Sequence, residues 1–226
     1  MATTGQSAHR GRSAALVSAL RCWLESALLY TLIALAPLAG LIAAMRAFPR
    51  DTLLALPDIA LARIGRWRRV DAVTAHRHPS FGAGGLMAGF SIGLLLNIAM
   101  RTSEFLTAVP AMATIAPGWP HVLFLCFALD SMLFSFLYAA AFVMAVRHVP
   151  WFPRFMLLLW LMDIVSQLVT ARLLGTAGLP GTVAGALVAL LVGNVHKSLL
   201  SVALWSPYLL LSDRVNVTYR RRVRIA

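Results

Sequence analysis

Five polar side chains interrupt apolar runs that would otherwise read as unbroken hydrocarbon: Asp130, Asp163, Gln167, Asn194 and Lys197. A charge at mid-bilayer costs about 2.5–3.5 kcal/mol even on a mild insertion scale, so such groups face protein or water and take partners. Their spacing is helical. Asp130 has Ser131, Ser135 and Tyr138 on a neighbouring stripe; Asp163 shares a face with Ser166, Gln167 and Thr170; Asn194 shares one with Lys197, Ser198 and Ser201. At a rise of ~1.5 Å per residue, Asp163 and Lys197 lie about 12 and 13 Å from the same end of their spans. A short turn joins those spans, so an Asp163–Lys197 ion pair is expected, with Asp130 nearer the opposite face and within reach of Gln167, Thr170 or Arg172. Two chemistries fit this network. One is a polar pathway: a proton relay, an ion site or a cavity for a polar head group. The other is a buried ion pair that fixes helix register.

The elements that must carry these residues follow from composition. Of 226 residues, 60% are hydrophobic and 12% charged, with a mean hydropathy of +0.79. A soluble domain is about half apolar and about a quarter charged, so here the bilayer must solvate most of the apolar surface. Five runs are long enough to cross: 23–45, 82–100, 121–146, 155–174 and 182–206. Arg101 closes the second run. Residues 1–20 are small and polar and are expected to be loose. The 23–45 run is too long for a signal-peptide core and shows no small-x-small cleavage pattern. It either crosses or lies in the interface, bent at Pro37. Small residues recur every fourth position at Gly85, Gly89 and Gly93 and at Gly181, Gly185, Ala189 and Gly193. Such faces let helices approach closely, so the second and fifth spans are expected to pack through them.

The net charge of +12 is arginine: Lys197 is the single lysine. The arginines sit at the ends of apolar runs, which is a topology signal and excludes a nucleic-acid interface. Segments 46–81, 147–154 and 214–224 are basic, whereas 101–119 and 175–181 are nearly neutral. The positive-inside rule places the basic segments and the C-terminus in the cytoplasm. Within 46–81, Thr52–Trp67 reads as an amphipathic surface helix broken by Pro57 or as an ordinary basic loop.

Catalytic patterns do not emerge. The sequence contains no H-E-x-x-H, G-x-S-x-G or metal-ligand spacing. His121 and His148 flank one span and His196 lies deep in another, which does not suit two-histidine haem ligation. Cys22 and Cys126 read as small buried hydrophobes. Neither an enzyme, a cofactor nor a metal site is expected.

From Gly82 onward the chain resembles a bacterial membrane-protein family, catalogued as domain of unknown function 2569. Three places carry the likeness. They are Gly84-Gly85-Leu86 with Gly93-Leu94; the turn Arg147–Phe155 with Phe152-Pro153; and Trp205-Ser206-Pro207-Tyr208 followed by Ser212-Asp213-Arg214-Val215 and Thr218-Tyr219. The last is the most specific. This chain departs from the pattern at Asp213, at Tyr219 and in lacking Trp after Gly85. The resemblance implies four spans with both ends cytoplasmic and lends no activity.

The fold expected is all-α integral membrane: a four-helix transmembrane bundle over 82–226 plus one additional N-terminal hydrophobic helix within 1–81, five spans in all. The function expected is a non-enzymatic structural or accessory component of the bacterial inner (cytoplasmic) membrane. Its partners would be anionic lipid at the basic faces and either a membrane protein or a second copy. The alternative is a small transporter or a proton or ion conduit using Asp130, Asp163 and Lys197.

Overall fold

The computed structural model of the chain describes residues 4–49, 56–57, 66–108 and 118–225. Its helices are α1 (Thr4–Ala47), α2 (Ala72–Arg77), α3 (Leu86–Ala108), α4 (Trp119–Val146), α5 (Phe152–Thr176), α6 (Gly181–Leu211) and α7 (Asp213–Arg220). Two short strands, β1 (Trp67–Arg69) and β2 (Arg222–Arg224), pair antiparallel with Arg68 opposite Val223. Five helical segments are long and apolar enough to cross a membrane: Ala27–Ala47, Leu86–Thr107, Trp119–Val146, Phe152–Thr176 and Gly181–Leu211. The fold is therefore all-α and multi-pass, as composition requires.

Helix α4 is the axis of the bundle. It packs against α1, α3 and α5, and α5 packs against α6. Its sequence is apolar apart from the stripe that carries Asp130, and about half of the helix is buried against its neighbours. Pro120 sits in its first turn, where a missing N–H costs nothing. It ends in a Schellman motif: the Val149 N–H donates to Met144 O at 3.0 Å and the His148 N–H to Ala145 O at 3.3 Å. His148 takes the left-handed conformation (φ 55°) that this motif needs. The main core joins Met87, Phe90, Phe134, Tyr138, Met156 and Trp160. Leu96, Leu161, Leu168, Leu200 and Leu204 point outward, where lipid would meet them.

Two expectations are corrected. Helix α3 does not stop at Arg101 but continues to Ala108, so Arg101 and Glu104 lie inside the second span. The 1–20 segment is helical from Thr4 onward, as the start of the 44-residue α1. The small-residue stripes of α3 and α6, expected to meet a helix of this chain or of a second copy, are not covered within the chain, because a side chain at Gly89, Gly93, Gly181, Gly185 or Gly193 would meet open space. The close approach is instead at Gly40, where a Cβ would strike the backbone of Phe136. Gly40 lies on the buried face of α1 with Ile33, Ala36 and Ala44. Most of the expected amphipathic helix Thr52–Trp67 lies outside the described residues; Trp67 itself opens β1.

The arginine-rich end of the bundle is closed by the C-terminal segment. Residues Val215–Arg220 of α7 are all buried. The Tyr219 hydroxyl donates to Ala145 O at 2.7 Å. Arg220 donates through Nη1 to Leu210 O and Asn216 Oδ1, both at 3.1 Å, and through Nη2 to Leu209 O at 3.0 Å. A cation thus satisfies the carbonyls at the C-terminus of α6, where the helix dipole is negative. Burial beside Arg222 and Arg154 pushes the Arg220 guanidinium down to about 10. Arg147 does the same for α1, donating to Met45 O and Phe48 O. Asp71 caps α2 by accepting from the N–H groups of Val73 (3.1 Å) and Thr74 (3.2 Å). The Thr74 hydroxyl, together with those backbone bonds, holds its carboxyl below the usual range.

Candidate functional site

Four helices each present a polar stripe at the same helical spacing, and the stripes converge. Helix α3 supplies Asn97, Arg101 and Glu104; α4 supplies Asp130, Phe134 and Tyr138; α5 supplies Asp163, Ser166 and Gln167; α6 supplies Asn194, Lys197, Ser198 and Ser201. Measured by helical rise from the arginine-rich end, the ionisable groups lie between about 16 and 27 Å deep. That places them within a hydrocarbon core of about 30 Å.

Arg101 is the centre. Its Nη1 binds Asp130 Oδ2 and its Nη2 binds Asp163 Oδ1, so one guanidinium fork bridges two helices. The side chains are 13% (Arg101), 14% (Asp130) and 4% (Asp163) exposed, which makes this a buried triad rather than a surface pair. Hydroxyls complete the shell. Ser166 donates to Asp130 Oδ1 at 2.8 Å and Ser198 to Asp163 Oδ2 at 2.7 Å, while Gln167 Nε2 stands 3.5 Å from Asp130 Oδ1. The guanidinium also lies over the Phe134 ring, 4.5 Å from its centroid, a cation–π contact.

Lys197 binds Glu104 of α3, not Asp163, and lies 3.3 Å from Asn194 Oδ1. The expected Asp163–Lys197 pair is thus replaced by two pairs. An arginine at the end of an apolar run marks a span boundary on sequence grounds, yet here Arg101 is the cation that outcompetes lysine for both aspartates. A planar fork with five donors reaches two carboxylates at once, which an ammonium cannot match. Arg172, an expected neighbour of Asp130, is exposed. The sequence did hold a signal for Arg101 and Glu104. The apolar stripe Met87, Phe90, Leu94 and Ile98 continues in phase through Arg101 to Phe105, which is 1% exposed.

Helices α3 and α6 make no extended backbone contact, and the cleft between them holds a cavity of about 300 Å³. Arg101, Glu104, Asp163, Asn194, Lys197 and Ser198 line it. Asn97 also lines it, and its Oδ1 is buried with no donor among the described residues. Toward the arginine-rich end aromatic rings bridge the cleft: Phe90 packs tilted against Trp205 (4.8 Å between centroids) and edge-on against Trp160 (6.2 Å). Behind Arg101 a second crevice of about 20 Å³ adjoins Asp130, Ser131, Gln167 and Thr170. Among the described residues no group of three or more His, Cys, Asp or Glu side chains is arranged to hold a metal ion. Cys126 is a free thiol beside the smaller crevice.

The arrangement can hold a polar or charged guest within the span, offering both signs of charge from its lining. It shows no nucleophile–base pair. No family model, no curated protein and no solved structure matches the chain.

Proposed function

We propose that this chain is a multi-pass protein of a bacterial inner membrane whose bundle binds a small polar solute or ion in the α3–α6 cavity and passes it across. The observation that supports this reading is the convergence of ionisable side chains from four helices on one cavity at mid-span. A bundle needing only rigidity would fill that space with apolar packing, since buried ion pairs stabilise no better than well-packed hydrophobes. The arginine-rich end is cytoplasmic by the positive-inside rule, with anionic lipid against its arginines. The Phe90–Trp205 bridge then puts the cavity's access on the outer side or laterally, between α3 and α6. The resemblance to domain of unknown function 2569 agrees with a cytoplasmic C-terminus.

A second reading, a structural or accessory component, has its own support. Arg101, Asp130, Asp163, Glu104 and Lys197 are all paired, and the open glycine faces of α3 and α6 would suit a second copy or another membrane protein.

Single cysteines at positions 194 and 201, in a protein lacking Cys22 and Cys126, test the proposal in proteoliposomes of known orientation. Labelling by a membrane-impermeant thiol reagent from the outer face is expected, with Phe134→Cys as the unlabelled control. Failure of both positions to label from either face, in protein that melts like its parent, would leave the structural reading.

A further inference from the structure

The cluster of charges inside the spans does not balance, and its buried part, Arg101 with Asp130 and Asp163, is itself one positive charge short when both aspartates are ionised. Arg101 and Lys197 carry two positive charges; Asp130, Asp163 and Glu104 carry three negative ones. Arg101, Ser166, Ser198 and, at longer range, Gln167 stand within hydrogen-bond distance of the four oxygens of Asp130 and Asp163, and with all three carboxyl groups ionised the count is one positive charge short. One unit of negative charge therefore remains at a depth where an uncompensated charge is strongly unfavourable.

A second observation points to where the compensation sits. The crevice behind Arg101 has about 20 Å³ of free space, room for one particle the size of a water molecule. Its oxygen-bearing walls are Glu104, Asp130, Ser131, Gln167, Thr170 and Asn194. The Ser131 hydroxyl is 1% exposed, lines this crevice and has no hydrogen-bond partner among the described residues. Leaving a buried hydroxyl unpaired is costly, and native structures seldom do it without reason. Asp130 also keeps acceptor capacity, because its two oxygens offer about four lone-pair sites and take three donors.

We propose that the crevice holds one sodium ion, coordinated by the Asp130 carboxylate, the Ser131 hydroxyl and neighbouring side-chain oxygens. Hard cations take oxygen ligands, and six oxygen-bearing side chains line a space of the right size, two of them (Glu104 and Asn194) also held by Lys197. The ion supplies the missing unit of charge. Arg101 also borders the crevice, but its charge is committed to the two aspartates, as that of Lys197 is to Glu104. The other titratable neighbours are Cys126 and Tyr138 on α4, and Tyr30 of α1, which stacks on Phe105 at the crevice wall. The inference does not depend on solute transport, because an ion can be held whether or not anything passes through the larger cavity.

The test is thermal unfolding of the whole protein in lipid nanodiscs, titrated with sodium chloride against potassium and choline chloride at matched ionic strength. A ligand that binds only the folded state raises the melting temperature in a saturable way. The expected result is a saturable rise with sodium and a flat response to choline, with potassium weaker than sodium. Ser131→Ala removes one ligand and should raise the half-saturating sodium concentration by about tenfold. Asp130→Asn should abolish the response, and Glu104→Gln, which sits nearer the surface, does the same duty should Asp130→Asn fail to fold. Equal responses to all three salts, or a sodium response unchanged in Ser131→Ala and in the carboxylate variants, would overturn the assignment. A stabilisation by acid alone, indifferent to sodium, would also overturn it and give the site to a proton. Thiol accessibility of the large cavity is read separately, so neither result can stand in for the other.

Discussion

Replacing Arg101 with methionine tests the centre of the site most directly. Methionine keeps length and apolar contact with Phe134 while removing the guanidinium. Asp130 and Asp163 would then face each other with only Ser166, Gln167 and Ser198 as donors. Breaking a buried ion pair by removing one partner costs about 3–5 kcal/mol. Two pairs share this cation, but losses at one centre do not add, and the adjoining cavity gives the carboxylates some relief. An overall loss of ~3–5 kcal/mol is therefore expected, and at about 2–4 °C per kcal/mol for a chain of this size the melting point should fall by roughly 6–20 °C. Arg101→Lys should recover part of the loss, since an ammonium can serve one aspartate but not both. Adding Asp130→Asn and Asp163→Asn to Arg101→Met should recover most of it, because the penalty comes from unpaired charge. Intrinsic fluorescence is a suitable readout, given Trp160 in the cavity wall. An Arg101→Met protein within about 1 kcal/mol of its parent would refute the reasoning, because a triad that can be broken so cheaply is not buried.

The remaining predictions are separate from the triad. Gly40→Ala should push α1 off α4 and cost about 1–3 kcal/mol in unfolding experiments, whereas Gly89→Ala and Gly185→Ala should leave the melting point of the monomer unchanged. Tyr219→Phe should cost roughly 1 kcal/mol by leaving Ala145 O short of its donor, read by chemical denaturation. Burial, helped by nearby His76, holds the His148 imidazole below its ordinary value. The unfolded chain therefore takes up this proton first as pH falls. The contribution is fully present above the ordinary histidine range and is lost on acidification through it. Melting temperature should fall with pH across that range, and His148→Asn, which tolerates the left-handed backbone, should flatten the profile.

Fold and span count were legible because both depend on apolar run length, which the bilayer reads almost directly. Which cation meets which carboxylate was not. The Asp163–Lys197 expectation used matched depth on two helices joined by a short turn, and the depth argument itself was sound. It failed because α3 was cut at Arg101. A charged residue after an apolar run looks like a boundary, and only the in-phase stripe through Phe105 says otherwise. The polar positions Asp130, Asp163, Gln167, Asn194 and Lys197 do converge, but through two residues the reading had placed in a loop. The glycine stripes show the converse problem. Period four on a helix says that a face is small, not that anything lies against it. The contact that needs a glycine, Gly40 on Phe136, stands in another run of the same spacing, Ala36, Gly40 and Ala44 on α1, and there the small face is covered.

The pairing of β1 with β2 and the burial of α7 set the order in which the protein can be completed. Arg68 comes before the last four spans in synthesis and Val223 after them, yet the two are cross-strand neighbours. Ala145 O and the carbonyls at the end of α6 likewise wait for Tyr219 and Arg220. Insertion of all five spans must therefore precede closure of the arginine-rich end. During that interval the half-made bundle shows an unpaired strand and uncapped helix ends to the aqueous phase. A chain stalled or clipped just after α6 would carry every transmembrane helix and still lack the segment that closes its arginine-rich end.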